Sequence, residues 1–187
     1  MNKNKLVLII DMQNDFCAKV KTNASINSIK KATKGVHFAI KKAREGKYKI
    51  AFTRSLQIFN KLPQNIKDRI EKNGKKINYL VPTSWGADFF QIQPKKDEAV
   101  ITKYRYDAFT NPRFEKYLKK NKIKEIIFCG FFLDICVDST MRSAYQKGFY
   151  ITLLKDATVP LYYEKKIVEN FMKKFYNAKI KTVKNYF

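Results

Sequence analysis

The sequence predicts a single-domain α/β protein over residues 1–187, a three-layer α/β/α arrangement around a mostly parallel, Rossmann-like sheet of roughly six strands. Three observations predict it. Short apolar runs alternate with helical stretches along the whole chain, which is the order of a doubly wound sheet. Those runs are apolar almost throughout rather than at every second residue, the pattern of strands buried on both faces. With 187 residues and 45% hydrophobic content, the chain can bury one sizeable core, which excludes a disordered or fibrous protein.

The elements follow in order. Leu6 to Ile10 is the first strand. Asn23 or Ser25 can cap a helix in which Ile26, Ile29, Val36, Ile40 and Ala43 recur at helical spacing, and Gly46 ends it. Lys49 to Thr53 is the second strand. From about Arg54 to Pro94 the chain is least regular, punctuated by proline and glycine, apart from a short helix near Asn65 to Lys72. Excursions of this length in α/β proteins carry binding residues. Ala99 to Thr102 is the third strand, and Asn111 to Asn121 a helix with Pro112 at its first position. Glu125 to Cys129 is the fourth strand, ending at Gly130, and Val137 to Lys147 a helix stopped by Gly148. Tyr150 to Leu154, then Tyr163 to Tyr176, then Lys179 to Val183 are the fifth strand, last helix and sixth strand.

Three fragments each end an apolar run with a residue that can do chemistry: LVLIIDMQNDF places Asp11, VITKYRYDAF places Lys103, and IIFCGFFLDICVDST places Cys136. In an open α/β sheet, ligands bind in the crevice outside the carboxyl ends of the strands, so an acid, an amine and a thiol converge there. Cys136 opens a helix, whose positive end favours thiolate, the nucleophilic form. Asp11 can take the thiol proton and return it to a leaving amine, while the Lys103 ammonium holds both groups and lowers the thiol pKa further. Backbone N–H groups at the helix start can receive an oxyanion. Taken singly, each residue has an ordinary alternative: a core cysteine, a turn aspartate, a solvated lysine. Cys129 lies inside an apolar strand and belongs to the core; Cys17 follows Phe16 near the crevice without an assigned role.

The net charge of +23 raises the alternative of a polyanion-binding or nucleic-acid-binding module. Its distribution favours solvated surface lysines. The basic residues form short pairs along the whole chain, with no basic tail, and only six of the 39 are Arg. Three cysteines, without a CxxC spacing, give no disulfide framework and fit a reducing compartment. The run Leu6 to Ile10 is too short for a signal-peptide core, and no apolar run approaches membrane-spanning length, so a soluble, cytoplasmic protein is expected.

The fragments also resemble a known family, the isochorismatase-like cysteine hydrolases, which include nicotinamidases, carbamoylsarcosine amidohydrolases and ureidoacrylate or biuret hydrolases. The matching pieces are the first strand followed by DMQNDF (Asp11 to Phe16), Thr102 and Lys103 followed by Ala108 and Phe109, Cys129 and Gly130 followed by Asp134, Cys136 and Val137, and Leu153 to Ala157. The resemblance covers nearly the whole chain. It implies a catalytic trio of Asp11, Lys103 and Cys136, and a cis peptide between Phe131 and Phe132. It also implies an oxyanion hole made by the backbone N–H groups of Phe132 and Cys136. Two features depart from the family pattern. The position before Asp134, commonly Thr or Ser, is Leu133. Nicotinamidases carry an Asp-x-His…His metal site after the second strand, and here that stretch reads FTRSLQIFN, Phe52 to Asn60, with no His and no carboxylate. The only His is His37, inside the first helix. The resemblance therefore implies a member without metal or other cofactor, acting on a small amide-like molecule and assembling as an oligomer.

Phe16, Trp85 and Phe132 are candidate walls of the substrate pocket, with core packing as the alternative for each. Arg54 and Arg105 are candidate anchors for a substrate carboxylate, or surface residues. The leading reading is hydrolysis of a C–N bond, amide or ureido, through a thioester on Cys136. Isochorismatase-type cleavage of a vinyl ether and a non-enzymatic polyanion-binding module remain as alternatives.

Overall fold

All six predicted strands form one sheet. In the structure, a computed structural model describing residues 2, 4–18, 26–74 and 76–187, the strands are β1 (Lys5–Ile10), β2 (Lys49–Ser55), β3 (Ala99–Lys103), β4 (Glu125–Phe131), β5 (Tyr150–Val159) and β6 (Lys179–Lys181). Their order is β3-β2-β1-β4-β5-β6, every pair parallel. The helices are α1 (Asn14–Cys17), α2 (Ile26–Glu45), α3 (Gln64–Lys72), α4 (Pro112–Lys120), α5 (Asp138–Gln146), α6 (Lys165–Phe175) and α7 (Val183–Tyr186). The caps proposed at Asn23 and Ser25 lie outside the described residues.

Period-two alternation splits the core into two layers. On β1, Leu6, Leu8 and Ile10 face one layer, where Phe114 and Leu118 of α4, Met141 of α5 and Met172 of α6 pack. Val7 and Ile9 face the other, against Ile29, Val36 and Ile40 of α2 and Val183 of α7. Leu6 to Ile10 are fully buried, each contributing about 1.5–3 kcal/mol of apolar burial. This is why β1 reads as a continuous apolar run.

The strand order reverses between β1 and β4, and that switch point sets the crevice. β1 and β4 can lie close there because Gly130, at φ +106, carries no Cβ; one built there would meet Ile10 O at 2.1 Å.

Several boundaries differ from those the sequence predicts. β5 continues to Val159, through a register shift in which Phe128 pairs with Leu153 but Gly130 with Thr158. The polar pair Lys155-Asp156 at this irregularity looks like a strand end in sequence, yet Asp156 Oδ1 accepts from Val183 N at 2.8 Å and ties α7 to the sheet. β6 accordingly ends at Lys181. The helix after β5 starts at Lys165, two residues late, because the N–H groups of Leu161, Tyr162 and Tyr163 all donate to the Asp134 carboxylate at 2.7, 2.7 and 3.0 Å. The helix after β4 starts early instead, as a π-helical turn over Leu133–Val137 that runs into α5. No helix among the described residues is long and apolar enough to cross a membrane.

Candidate active site

Asp11 is the first residue after β1, in the left-handed region at φ 46, a conformation Asp tolerates better than most residues. Its N–H donates to Thr53 Oγ1 at 3.1 Å, and the Thr53 hydroxyl donates back to Asp11 Oδ1 at 2.6 Å. Thr53 sits on the neighbouring strand β2, so both ends of the acid are fixed by one side chain. The other carboxylate oxygen, Oδ2, is 2.6 Å from Lys103 Nζ, with both side chains fully buried.

Lys103 ends β3, two strands away from β1. At about 4.8 Å per strand spacing, the long lysine stem is what lets an ammonium cross β2. The ammonium has three N–H donors and three polar neighbours: Asp11 Oδ2, the Arg105 carbonyl at 2.9 Å and Cys136 Sγ at 3.5 Å. Burial alone pushes its pKa down, but Asp11 and Cys136 more than offset this and raise it. Lys103 therefore stays an ammonium.

Cys136 lies in the π-helical turn, where Ile135 N–H and Val137 N–H both donate to the Phe132 carbonyl at 3.1 Å. Thr140 Oγ1 donates to the Cys136 carbonyl at 2.7 Å and accepts from Ala108 N at 3.2 Å, tying the segment after Lys103 to α5. The thiol pKa is raised, first by burial and next by the Asp11 charge, with Lys103 pulling the other way. This reverses the expectation that the helix end and the lysine favour thiolate: taking an anion out of water beside a carboxylate costs more than the ammonium returns. At rest the sulfur is a thiol beside the Asp11–Lys103 ion pair.

The thiol opens into a cavity of 310 Å³. Phe16 and Phe132 form part of its wall, packed edge to face at 5.9 Å, and the Phe131–Phe132 peptide is cis. Leu80, Ile135 and Leu161 add apolar surface, Tyr79, Tyr104, Tyr106 and Tyr162 add hydroxyls, and Arg69 and Arg105 are the charged lining groups. Larger concavities exist elsewhere, one of 750 Å³ beside β5 and β6, but Cys136 does not line them.

Two residues expected at the pocket lie elsewhere. Trp85 does not line the cavity and is 54% exposed; its carbonyl accepts from Asn14 Nδ2. Arg54 lines a neighbouring concavity, while Arg105 lines both. Cys17 and Cys129 are buried and do not line the cavity, and His37 is exposed on α2. Ser55, the last residue of β2, and Gln57 just after it reach the cavity. A hydroxyl and a carboxamide do not fit a transition-metal site, which takes imidazole, thiolate or carboxylate, and no group of three His, Cys, Asp or Glu converges among the described residues.

Other contributors carry no signal that the sequence reading used. Thr53 orients the acid from mid-strand. Gln13 is fully buried and ties β2 to the segment at 87, donating to Ser55 O and Ala87 O at 2.9 Å and accepting from Ser55 N at 2.8 Å. Asp15 Oδ2 accepts from Leu80 N at 2.7 Å and so places a cavity wall. Gly86 leaves room for that carboxylate, which would lie 2.0 Å from a Cβ. Three consecutive amide and acid side chains at a buried strand end were the available sign that Gln13, Asn14 and Asp15 organise the 80–90 segment.

A family model described as the isochorismatase domain matches residues 5–180. A ureidoacrylate amidohydrolase, RutB, of Azorhizobium caulinodans is 34% identical over 83 residues, which cover 43% of this chain and 37% of that protein. The chain thus spans little more than a third of that relative's length. Among solved structures, N-carbamoylsarcosine amidase from Thermoplasma acidophilum superposes with a TM-score of 0.80 at 19% identity, covering 96% of both chains. Nicotinamidase PncA from Bacillus subtilis superposes with a TM-score of 0.77 at 20% identity, covering 95% of this chain and 99% of that one. Such identities establish the shared fold. The family match extends over nearly the whole sequence, and the chain belongs to the isochorismatase family.

Proposed function

We propose that this protein is a cysteine hydrolase that cleaves the C–N bond of a small amide or ureido compound through a thioester on Cys136, without a metal. The observation that carries this reading is one ammonium, Lys103, touching both a buried carboxylate and a buried thiol, with the thiol lining a small cavity. Because burial and Asp11 keep the thiol protonated, attack needs a base, and Asp11 is beside it. Sγ bonds to the substrate carbonyl carbon as the S–H proton passes to Asp11. The carbonyl oxygen becomes an oxyanion, received by the backbone N–H groups of Phe132 and Cys136. Collapse breaks the C–N bond, Asp11 returns its proton to the leaving nitrogen, and the acyl group stays on sulfur. Water then attacks the thioester with Asp11 again accepting a proton, releasing the acid and restoring the thiol. Lys103 remains charged throughout, offsetting the charge on Asp11 and the developing charge on sulfur.

The relatives named for amide and ureido substrates support the bond type. The cavity supports a small substrate that is neutral or anionic, since Arg69 and Arg105 line it and no acidic residue does. Ammonia release across a panel of small amides and ureido acids tests the reading. The wild type should release ammonia from at least one, and Cys136→Ala should lose about 10³-fold or more; equal release by both would refute it.

A further inference from the structure

Next to the thiol cavity, and sharing Tyr104 and Arg105 with it, lies a second concavity, of 610 Å³, at the C-terminal ends of β2 and the edge strand β3. Five cationic residues line it, Arg54, Lys61, Lys103, Arg105 and Arg113, and no acidic residue does. None of Arg54, Lys61, Arg105 or Arg113 is in an ion pair among the described residues. Two guanidinium nitrogens of its lining residues are buried and lack a hydrogen-bond partner among the described residues, Arg54 Nε and Arg105 Nη1, and Arg105 also lines the thiol cavity. Arg54 Nη2 is 3.5 Å from Thr102 Oγ1. Buried donors are ordinarily satisfied, and like charges gathered in one concavity repel, so this arrangement lacks a counter-charge.

We propose that this concavity binds a phosphate-type oxyanion, as free phosphate or as the head of a phosphomonoester. Guanidinium forks match the edges of a tetrahedral oxyanion with paired N–H donors, and a dianion neutralises more of this cluster than a carboxylate does. Side chains rather than a helix end supply the contacts: α4 starts here, but its first free N–H, on Arg113, already donates to Asn111 Oδ1 at 2.9 Å. Lys103 adds charge without a donor, because its ammonium is directed to Asp11, Arg105 O and Cys136. The site shares Tyr104 and Arg105 with the cavity that Cys136 lines, while Arg54, Lys61 and Arg113 line it alone.

Isothermal titration of the full chain with inorganic phosphate, at ionic strength held constant with chloride, tests the proposal. Saturable binding of one phosphate per chain is expected, weakened about tenfold in Arg54→Gln and about tenfold in Arg113→Gln. Arg113 is exposed, so its variant keeps the fold and preserves the test if Arg54→Gln is unstable. Lys120→Gln, at the opposite end of α4, should bind phosphate as the wild type does. Glycerol phosphate binding more tightly than phosphate would name a phosphomonoester as the ligand, and the reverse order free phosphate. Absence of saturable phosphate binding, or equal weakening by Lys120→Gln and the arginine variants, would overturn the site.

Discussion

At residue scale, the site depends on how the acid is held. Thr53 both accepts from and donates to Asp11, so the carboxylate presents a fixed edge to Lys103 and the thiol. Thr53→Val should leave a buried carboxylate oxygen unpaired, costing about 1–3 kcal/mol of stability, and misplace the base enough to lower kcat about ten- to a hundredfold. Thr53→Ser should restore most of both, and a urea titration beside steady-state rates would show it. The raised thiol pKa gives a second expectation. Alkylation of Cys136 by iodoacetamide should quicken by about tenfold per pH unit from neutrality upward, and Asp11→Asn should accelerate it at any one pH by removing the charge that holds the proton. A rate already level below neutrality would mean a preformed thiolate. Asp11, Lys103 and Cys136 were legible in the sequence because each ends an apolar run. Thr53 was not: a threonine inside a strand has no feature to separate it from a β-branched packing residue.

At the scale of elements, Asp134 links the π-helical turn that carries Cys136 to the segment after β5. Its carboxylate accepts three backbone N–H groups, and two of the residues so held, Leu161 and Tyr162, line the cavity. Asp134→Ala should cost about 2–4 kcal/mol, since charged hydrogen bonds are lost and three N–H groups are released. It should also raise KM more than it lowers kcat, because the wall moves while the trio remains. KM and kcat changing in equal proportion would instead mark a distortion of the turn itself. The same bonds explain why the last helix begins at Lys165: hydrophobic spacing continues back to Tyr163, but the N–H groups there are already taken. β1 and β4 were readable as uninterrupted apolar runs. The continuation of β5 was not, since Lys155 and Asp156 interrupt its pattern for the sake of α7. Trp85 was misplaced for a related reason. Its segment is folded by Gln13, Asn14 and Asp15, whose bonds reach it across more than 60 residues and leave no periodicity at Trp85 itself.

At the scale of the whole molecule, the +23 charge is spread over both layers of the sandwich. Lys30-Lys31 and Lys41-Lys42 lie on α2 in one layer, and Lys119-Lys120 and Lys173-Lys174 on α4 and α6 in the other. No single face gathers them, which favours solvated lysines over a polymer track, and oligonucleotide affinity should be weak at physiological salt. Protonation couples to the fold as well. Burial raises the thiols of Cys17, Cys129 and Cys136, and Lys103 is raised by its partners against its own burial. The unfolded chain releases these protons at ordinary values, about 8.5 for a thiol and 10.4 for an amine, while the folded chain keeps them. Their contribution is therefore fully present below those values and is lost as pH rises, so the urea midpoint should fall steadily above about pH 8.5. A midpoint level to about pH 10 would contradict that coupling. The central claim is that Cys136 carries the acyl group. Rapid acid quench of the enzyme during a single turnover of an amide substrate, followed by peptide mass spectrometry, measures this most directly. The substrate's acyl mass is expected on the peptide containing Cys136, formed as the C–N bond breaks, lost as the acid product is released, and removed by hydroxylamine. Complete turnover with no adduct, or an adduct on Cys17 that decays at the rate of turnover, would contradict it.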